Sequence, residues 1–153
     1  MAQLKIVDKY NKGGPRYQTN TIEAAGQSYL AGDIVTVAAL AVTLAASDPA
    51  AVYGIAQTNA TGTTGTAAVI ELIEAYDILE GSVGATAPVA ANHNVKYSVA
   101  VAAGSNSITI GGGGSNKTFF ITDLLIDPIT GLYKTTVRGQ FIPTCLQSGV
   151  GTS

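Results

Sequence analysis

The sequence holds very few of the side chains on which most site chemistry is built. It has one cysteine, one histidine, one methionine and no tryptophan in 153 residues. Cys145 alone forms no intrachain disulfide and no cysteine-based metal centre. A single histidine, His93, closes the usual histidine metal sites to one copy of the chain. Charge is scarce as well: 8 Lys and Arg against 10 Asp and Glu, 12% of residues, for a net charge of −2. That is about half the charged share of an ordinary globular protein, and its sign argues against a nucleic-acid partner. Long apolar runs are missing too. The most apolar stretch, residues 34–46, is interrupted by Thr36 and Thr43 and falls short of the roughly 20 residues a membrane helix needs. The first nine residues lack the apolar stretch of a secretory signal. A soluble product made in a cytoplasm, with no membrane partner, is the expectation.

What the sequence does have is apolar and small. Hydrophobic residues make up 46% of the chain and the mean hydropathy is +0.29, enough to expect a packed core rather than disorder. So little charge suggests that other subunits cover part of the surface.

Two regions separate on composition. Residues 1–28 read as an extended arm: residues 9–17 mix turn formers with basic and aromatic side chains, and Pro15 after two glycines breaks any helix. Lys5, Lys9, Lys12 and Arg16 place half of all basic residues in the first sixteen positions, with Asp8 the only acid among them. Residues 29–153 read as a β-rich domain of short strands separated by turns, a small barrel or sandwich-like body of antiparallel strands. The β-branched run at 34–37 follows a Gly32-Asp33 turn. In 95–101, Tyr97, Val99 and Val101 share one face by alternation. At the end, Asp127-Pro128-Ile129-Thr130-Gly131 forms a turn, with Pro128 suited to its fixed φ and Gly131 free to take positive φ. Tyr133, Thr135, Val137, Gly139 and Phe141 then alternate with Lys134, Thr136, Arg138 and Gln140, a half-buried strand that pairs with 119–126 as a hairpin. Residues 67–79 compete as a helix, but Glu71, Glu74, Asp77 and Glu80 would stack like charges on one face. Two strands joined near Glu74 are expected instead, with these carboxylates facing solvent. The alanine-rich 38–46 admits a short helical turn.

No motif carries chemistry. His93 sits in a loop-like Asn-His-Asn context without a nucleophile elbow. Gly111 to Thr118 nearly matches a phosphate-binding loop, but Asn116 stands where glycine must precede Lys117, and a strand follows where a helix is required. The acids at 71–80 fit no calcium-loop spacing. Cys145 has no charged neighbour in sequence to lower its pKa and reads as a buried small hydrophobe. A non-enzymatic protein without cofactor or metal is expected.

The order of segments between Leu30 and Val83 is similar to that of a known family. A Gly32-Asp33-Ile34-Val35-Thr36-Val37 strand comes first, then Val52-Tyr53-Gly54-Ile55-Ala56-Gln57-Thr58. A Thr- and Gly-rich loop follows, then Ala68-Val69-Ile70-Glu71-Leu72 and Tyr76-Asp77-Ile78-Leu79-Glu80. This resembles the small capsid decoration (cement) proteins of tailed bacteriophages, in which a G-D-x-V strand precedes a V-x-G-I-A strand and a later strand carries D-I/V-L/F-E. The resemblance covers about a third of the chain. It implies a β-rich homotrimer on the outer surface of the virion that clamps neighbouring major capsid subunits against internal DNA pressure. It also implies a capsid-gripping arm: Lys5, Lys9, Lys12 and Arg16 would face acidic capsid surface, with Tyr10 and Tyr17 adding apolar contact area. The stretch 84–115 is longer than the family's core, which keeps open a head-fibre, tail or adhesin module that binds host carbohydrate or a receptor. The shortage of aromatics disfavours that second role.

Overall fold

A computed structural model describes residues 3–10, 13–39, 41–84, 86–111 and 114–147. The described chain is all-β, with eleven strands in two sheets. Strands β2 (Tyr17–Glu23), β3 (Ile34–Ala38), β4 (Ala41–Leu44), β5 (Gly54–Ala56) and β6 (Ala67–Leu72) close into a barrel in the order β2-β4-β3-β5-β6. Strands β1 (Lys5–Asp8), β7 (Ile78–Ser82), β8 (Lys96–Ala102), β9 (Ser105–Thr109), β10 (Phe119–Ile126) and β11 (Tyr133–Phe141) form a six-stranded sheet in the order β1-β7-β11-β10-β8-β9. Pairing is antiparallel except between β2 and β4, which run parallel where Ile22 faces Ala41.

The two sheets share walls. On β3, Ile34 packs into the core beneath the six-stranded sheet while its neighbour Val35 points into the barrel; on β5, Ile55 and Ala56 divide the same way. A strand with apolar surroundings on both faces has no polar face to show. This is why Ile34 and Val35, and the run 52–56, are apolar in succession rather than alternating. Barrel closure also needs β5 and β6 to approach closely. A Cβ on Gly54 would lie 2.2 Å from the Glu71 carbonyl oxygen, so the glycine in the Val-Tyr-Gly-Ile-Ala segment is required by backbone contact.

Two expectations are corrected. The described residues of the expected extended arm at 1–28 belong to the body: Leu4 is buried in the larger core, β1 pairs with β7, and β2 closes the barrel against β4 and β6. The turn formers at 13–15 mark the crossing from one sheet to the other. The alanine-rich 38–46 contributes strand rather than helix, because Val37 pairs with Val42 and Ala38 with Ala41, and Val42 is fully buried in the barrel. The C-terminal hairpin matches the alternation. Gly131 has φ 72°, and the Asp127 carboxylate accepts from the Ile129 amide at 2.8 Å.

Where barrel meets sheet, the buried Asp33 carboxylate gathers three segments. It accepts from the Leu30 amide at 2.8 Å, from the Gly104 amide of the β8–β9 turn at 2.9 Å to each oxygen, and from Gln3 Nε2 at 3.1 Å. Truncating it would strand buried donors from both sheets. Asp33→Ala is therefore expected to lower stability by about 2–4 kcal/mol. Urea unfolding checks this, and a midpoint unchanged from the parent would show that the junction does not depend on this carboxylate.

Candidate interaction surface

Of the residues singled out near the N-terminus, Lys9, Tyr10 and Arg16 are brought together by the turn between β6 and β7, whereas Lys5 lies on β1, Tyr17 lies on β2 and Lys12 lies outside the described residues. Lys9, just past β1, places Nζ 2.5 Å from Asp77 Oδ2 and 3.1 Å from Glu74 Oε1, and donates to the Leu72 carbonyl at 3.3 Å. Arg16, just before β2, reaches Glu74 Oε2 at 2.7 Å. The Asp77 carboxylate also accepts the Glu74 amide at 2.9 Å and the Tyr10 amide at 3.1 Å. Burial would raise the Glu74 carboxyl, but hydrogen bonds and charge from Lys9 and Arg16 outweigh it and hold the group below its usual 4.5. Tyr76 adopts a left-handed backbone, φ 68°, at a cost of about 1 kcal/mol. That strain is the local price of turning Asp77 inward.

This arrangement corrects the sequence reading of the charges. The acids at 71–80 are not simple solvent-facing carboxylates: Asp77 is buried, Glu74 is paired to Lys9 and Arg16, and Glu80 is paired to Arg138 at 3.0 Å. Lys9 is correspondingly held inward by its own chain, while Arg16 is paired to Glu74 with its side chain still exposed. Beside them aromatic rings are exposed. Tyr10 and Tyr76 pack ring against ring in a tilted arrangement, centroids 5.2 Å apart and planes at 56°, 68% and 51% exposed, and Tyr17 is 55% exposed. A depression of about 470 Å³ lies beside the ring pair, walled by Asp8, Tyr10, Tyr76, Ile78 and Gln140. Lys5 is exposed on β1, opposite Glu80. Sequence reasoning missed Tyr76 and the pairing itself. The available signal was a basic cluster at 5–16 and an acidic one at 71–80 in the same chain.

A second exposed apolar feature is the tip of the β10–β11 hairpin, where Ile129 is 94% exposed and Ile126 and Leu132 lie beside it.

The other chemical candidates resolve into structural roles. The near-miss phosphate loop has an internal anion on its amides: the Asp48 carboxylate accepts from the Asn116 and Lys117 N–H groups, each at 3.0 Å. The Asn116 amide is the largest cause that holds Asp48 below its usual 3.8. The Thr- and Gly-rich loop at 57–66 is organised likewise by buried Glu23, which accepts from the Thr61 amide and hydroxyl and the Gly62 amide at 2.9–3.0 Å. Burial pushes Glu23 up, yet these donors together bring it below 4.5. His93 is exposed, with Nε2 2.7 Å from the Thr122 carbonyl oxygen. Cys145 is buried and its thiol is pushed up to about 11 by that burial. Among the described residues no group of His, Cys, Asp and Glu is arranged to hold a metal ion, and no helix is long and apolar enough to cross a membrane.

Compared with known proteins, the chain matches no family model, no curated protein and no solved structure.

The loop anchors set a pH dependence. Glu23 and Asp48 have folded pKa values below their ordinary ones, so each contributes stability that is full above its unfolded value and is lost as pH falls through the folded one. Glu71, raised mainly by burial, acts in the opposite sense. Thermal unfolding of Glu23→Gln should fall below the parent at neutral pH, with the gap closing as pH drops below 4.5. A gap that stays constant with pH would mean that the Glu23 charge is not what holds the 57–66 loop.

Proposed function

We propose that the chain is a structural protein of a phage virion, which binds the outer surface of the capsid as a trimer and cements neighbouring major capsid subunits. The observation that carries this reading is the Tyr10–Tyr76 surface. Two large, half-exposed rings stand on a base fixed by the Lys9, Arg16, Glu74 and Asp77 ion pairs. Aromatic side chains presented rigidly lose little conformational entropy on binding and supply much of the contact energy at protein interfaces.

The decoration-protein resemblance supports the same reading. Its segments fall on β3, β5 and β6, which are neighbours in the barrel, and on β7 of the six-stranded sheet. The contact proposed is aromatic and shape-based, with Lys5 at its margin, and it replaces a loose basic arm laid on acidic capsid. Three copies engaging at once would turn modest single-site affinity into firm attachment.

Light scattering coupled to size exclusion is expected to give a mass near three times 15.5 kDa. The protein should co-sediment with DNA-free heads of the phage that encodes it. Replacing Tyr10 and Tyr76 by serine should weaken that binding at least about tenfold, with thermal unfolding and solution mass little changed. A protein that ignores such heads but is retained by host-cell carbohydrate would overturn the capsid reading in favour of an adhesive one.

A further inference from the structure

Lys9, Glu74 and Asp77 are arranged for chemistry beyond an ion pair. The amine and the carboxylate are within 2.5 Å, and their side chains are only 10% and 0% exposed. The Asp77 carboxyl is held and polarised by backbone amides: Tyr10 N–H on Oδ1 at 3.1 Å and Glu74 N–H on Oδ2 at 2.9 Å. Glu74 Oε1 lies 3.1 Å from Lys9 Nζ, and it is buried without a hydrogen-bond partner of good direction. A carboxylate oxygen this close to an amine, with no other hydrogen-bond partner, is placed to take its proton.

We propose that Lys9 and Asp77 become joined by an isopeptide bond between their side chains, with Glu74 carrying the protons. The Lys9 ammonium gives one proton to Glu74 Oε1. The neutral Nζ then attacks Asp77 Cγ, and negative charge develops on Oδ1, where the Tyr10 amide already points. The proton held by Glu74 and a second from the nitrogen pass to Oδ2, which leaves as water. One ammonium and one carboxylate become one amide and one water, so the step balances without oxidant, reductant or cofactor. Two physical effects favour it here and not in free solution. Fixed proximity replaces a bimolecular encounter, which is worth an effective concentration of roughly 10⁵ M or more in well-aligned cases. Exclusion of water penalises the charged pair relative to the uncharged amide.

The link would join positions 68 residues apart, tying the first strand to the β6–β7 turn beneath the tyrosine surface. It stands independently of capsid binding, since it rests on the three side chains alone.

The test is the intact mass of the purified chain under denaturing conditions, followed by peptide mapping. The chain should be lighter than its sequence mass by one water. Trypsin should fail to cut after Lys9, and a branched peptide should join the Lys9 and Asp77 segments. Lys9→Arg and Glu74→Gln should each return the full sequence mass. A native chain at full sequence mass, cleaved normally at Lys9, overturns the proposal and leaves an ion pair only. So does a water loss that persists in Lys9→Arg, which would place the dehydration elsewhere. The measurement on the native chain decides the matter even where a variant fails to fold.

Discussion

The architecture depends on burying a carboxylate where two sheets meet. The barrel and the six-stranded sheet are separate strand ladders, and their shared apolar wall is non-directional: it favours contact without fixing the angle or register of one sheet against the other. Asp33 is a source of direction, beside the bonds of Ser47 and Asp48 in the β4–β5 connection to Val101 and Val99 of β8. Its oxygens take amides from the start of the barrel and from the β8–β9 turn, and a side-chain donor from the N-terminal segment. A buried carboxylate is tolerable only when its acceptor positions are filled. Filling them favours an arrangement of the two sheets that brings these donors together. The Gly-Asp preceding a β-branched run is in this sense a docking device more than a turn.

The same economy recurs through the molecule and explains its bland surface. Glu23, Asp33 and Asp77 are buried, and Asp48 is turned toward the amides of its loop. Of ten acidic residues, these four serve as internal anchors for turns and connections, and Glu23 and Asp48 anchor loops rich in Gly, Thr and Ser. Loops tied in this way become rigid without apolar side chains, and buried backbone groups find partners they would otherwise lack. With Lys9 and Arg16 also paired within the chain, fewer unpaired charges remain for long-range electrostatics. The Tyr10 and Tyr76 rings add aromatic area to the exposed surface.

Legibility in the sequence followed the range of the determining contacts. The β10–β11 hairpin could be read because its turn chemistry and its alternation both lie within 23 residues of chain, from Phe119 to Phe141. The link between β6 and β7 could be read because like charges at intervals of three oppose a helix locally. The N-terminal segment could not. Its strand β1 is only four residues long and its burial pattern is mostly exposed, so nothing in its own composition announces a strand. What holds it are Leu4 in the core and Lys9 against residues more than sixty positions later. Residues 38–46 failed for a related reason: alanine disfavours a strand by local preference, yet Val42 has a fully buried place in the barrel that outweighs it. The tyrosine surface inherits this limit, because Tyr10 and Tyr76 meet only through that long-range pairing.

Edges complete the logic of the surface. Closing the barrel removes the edges of one sheet, leaving β1 and β9 as the ends of the other. An open edge is a template for indiscriminate strand addition unless it is short, irregular or charged. The edge at β1 has all three properties: four residues, a register shift between Ile6 and Asp8, and Lys5 exposed upon it. Backbone pairing with strangers is thereby discouraged on the side of the molecule where Tyr10 and Tyr76 are displayed. The partner proposed for this surface would be selected by the fit of side chains, and selection by fit requires that the displaying segment not wander. Immobilising residues 9 and 10 against the β6–β7 turn meets that requirement, which is why charge pairing inside the chain and aromatic display outside it belong to one device.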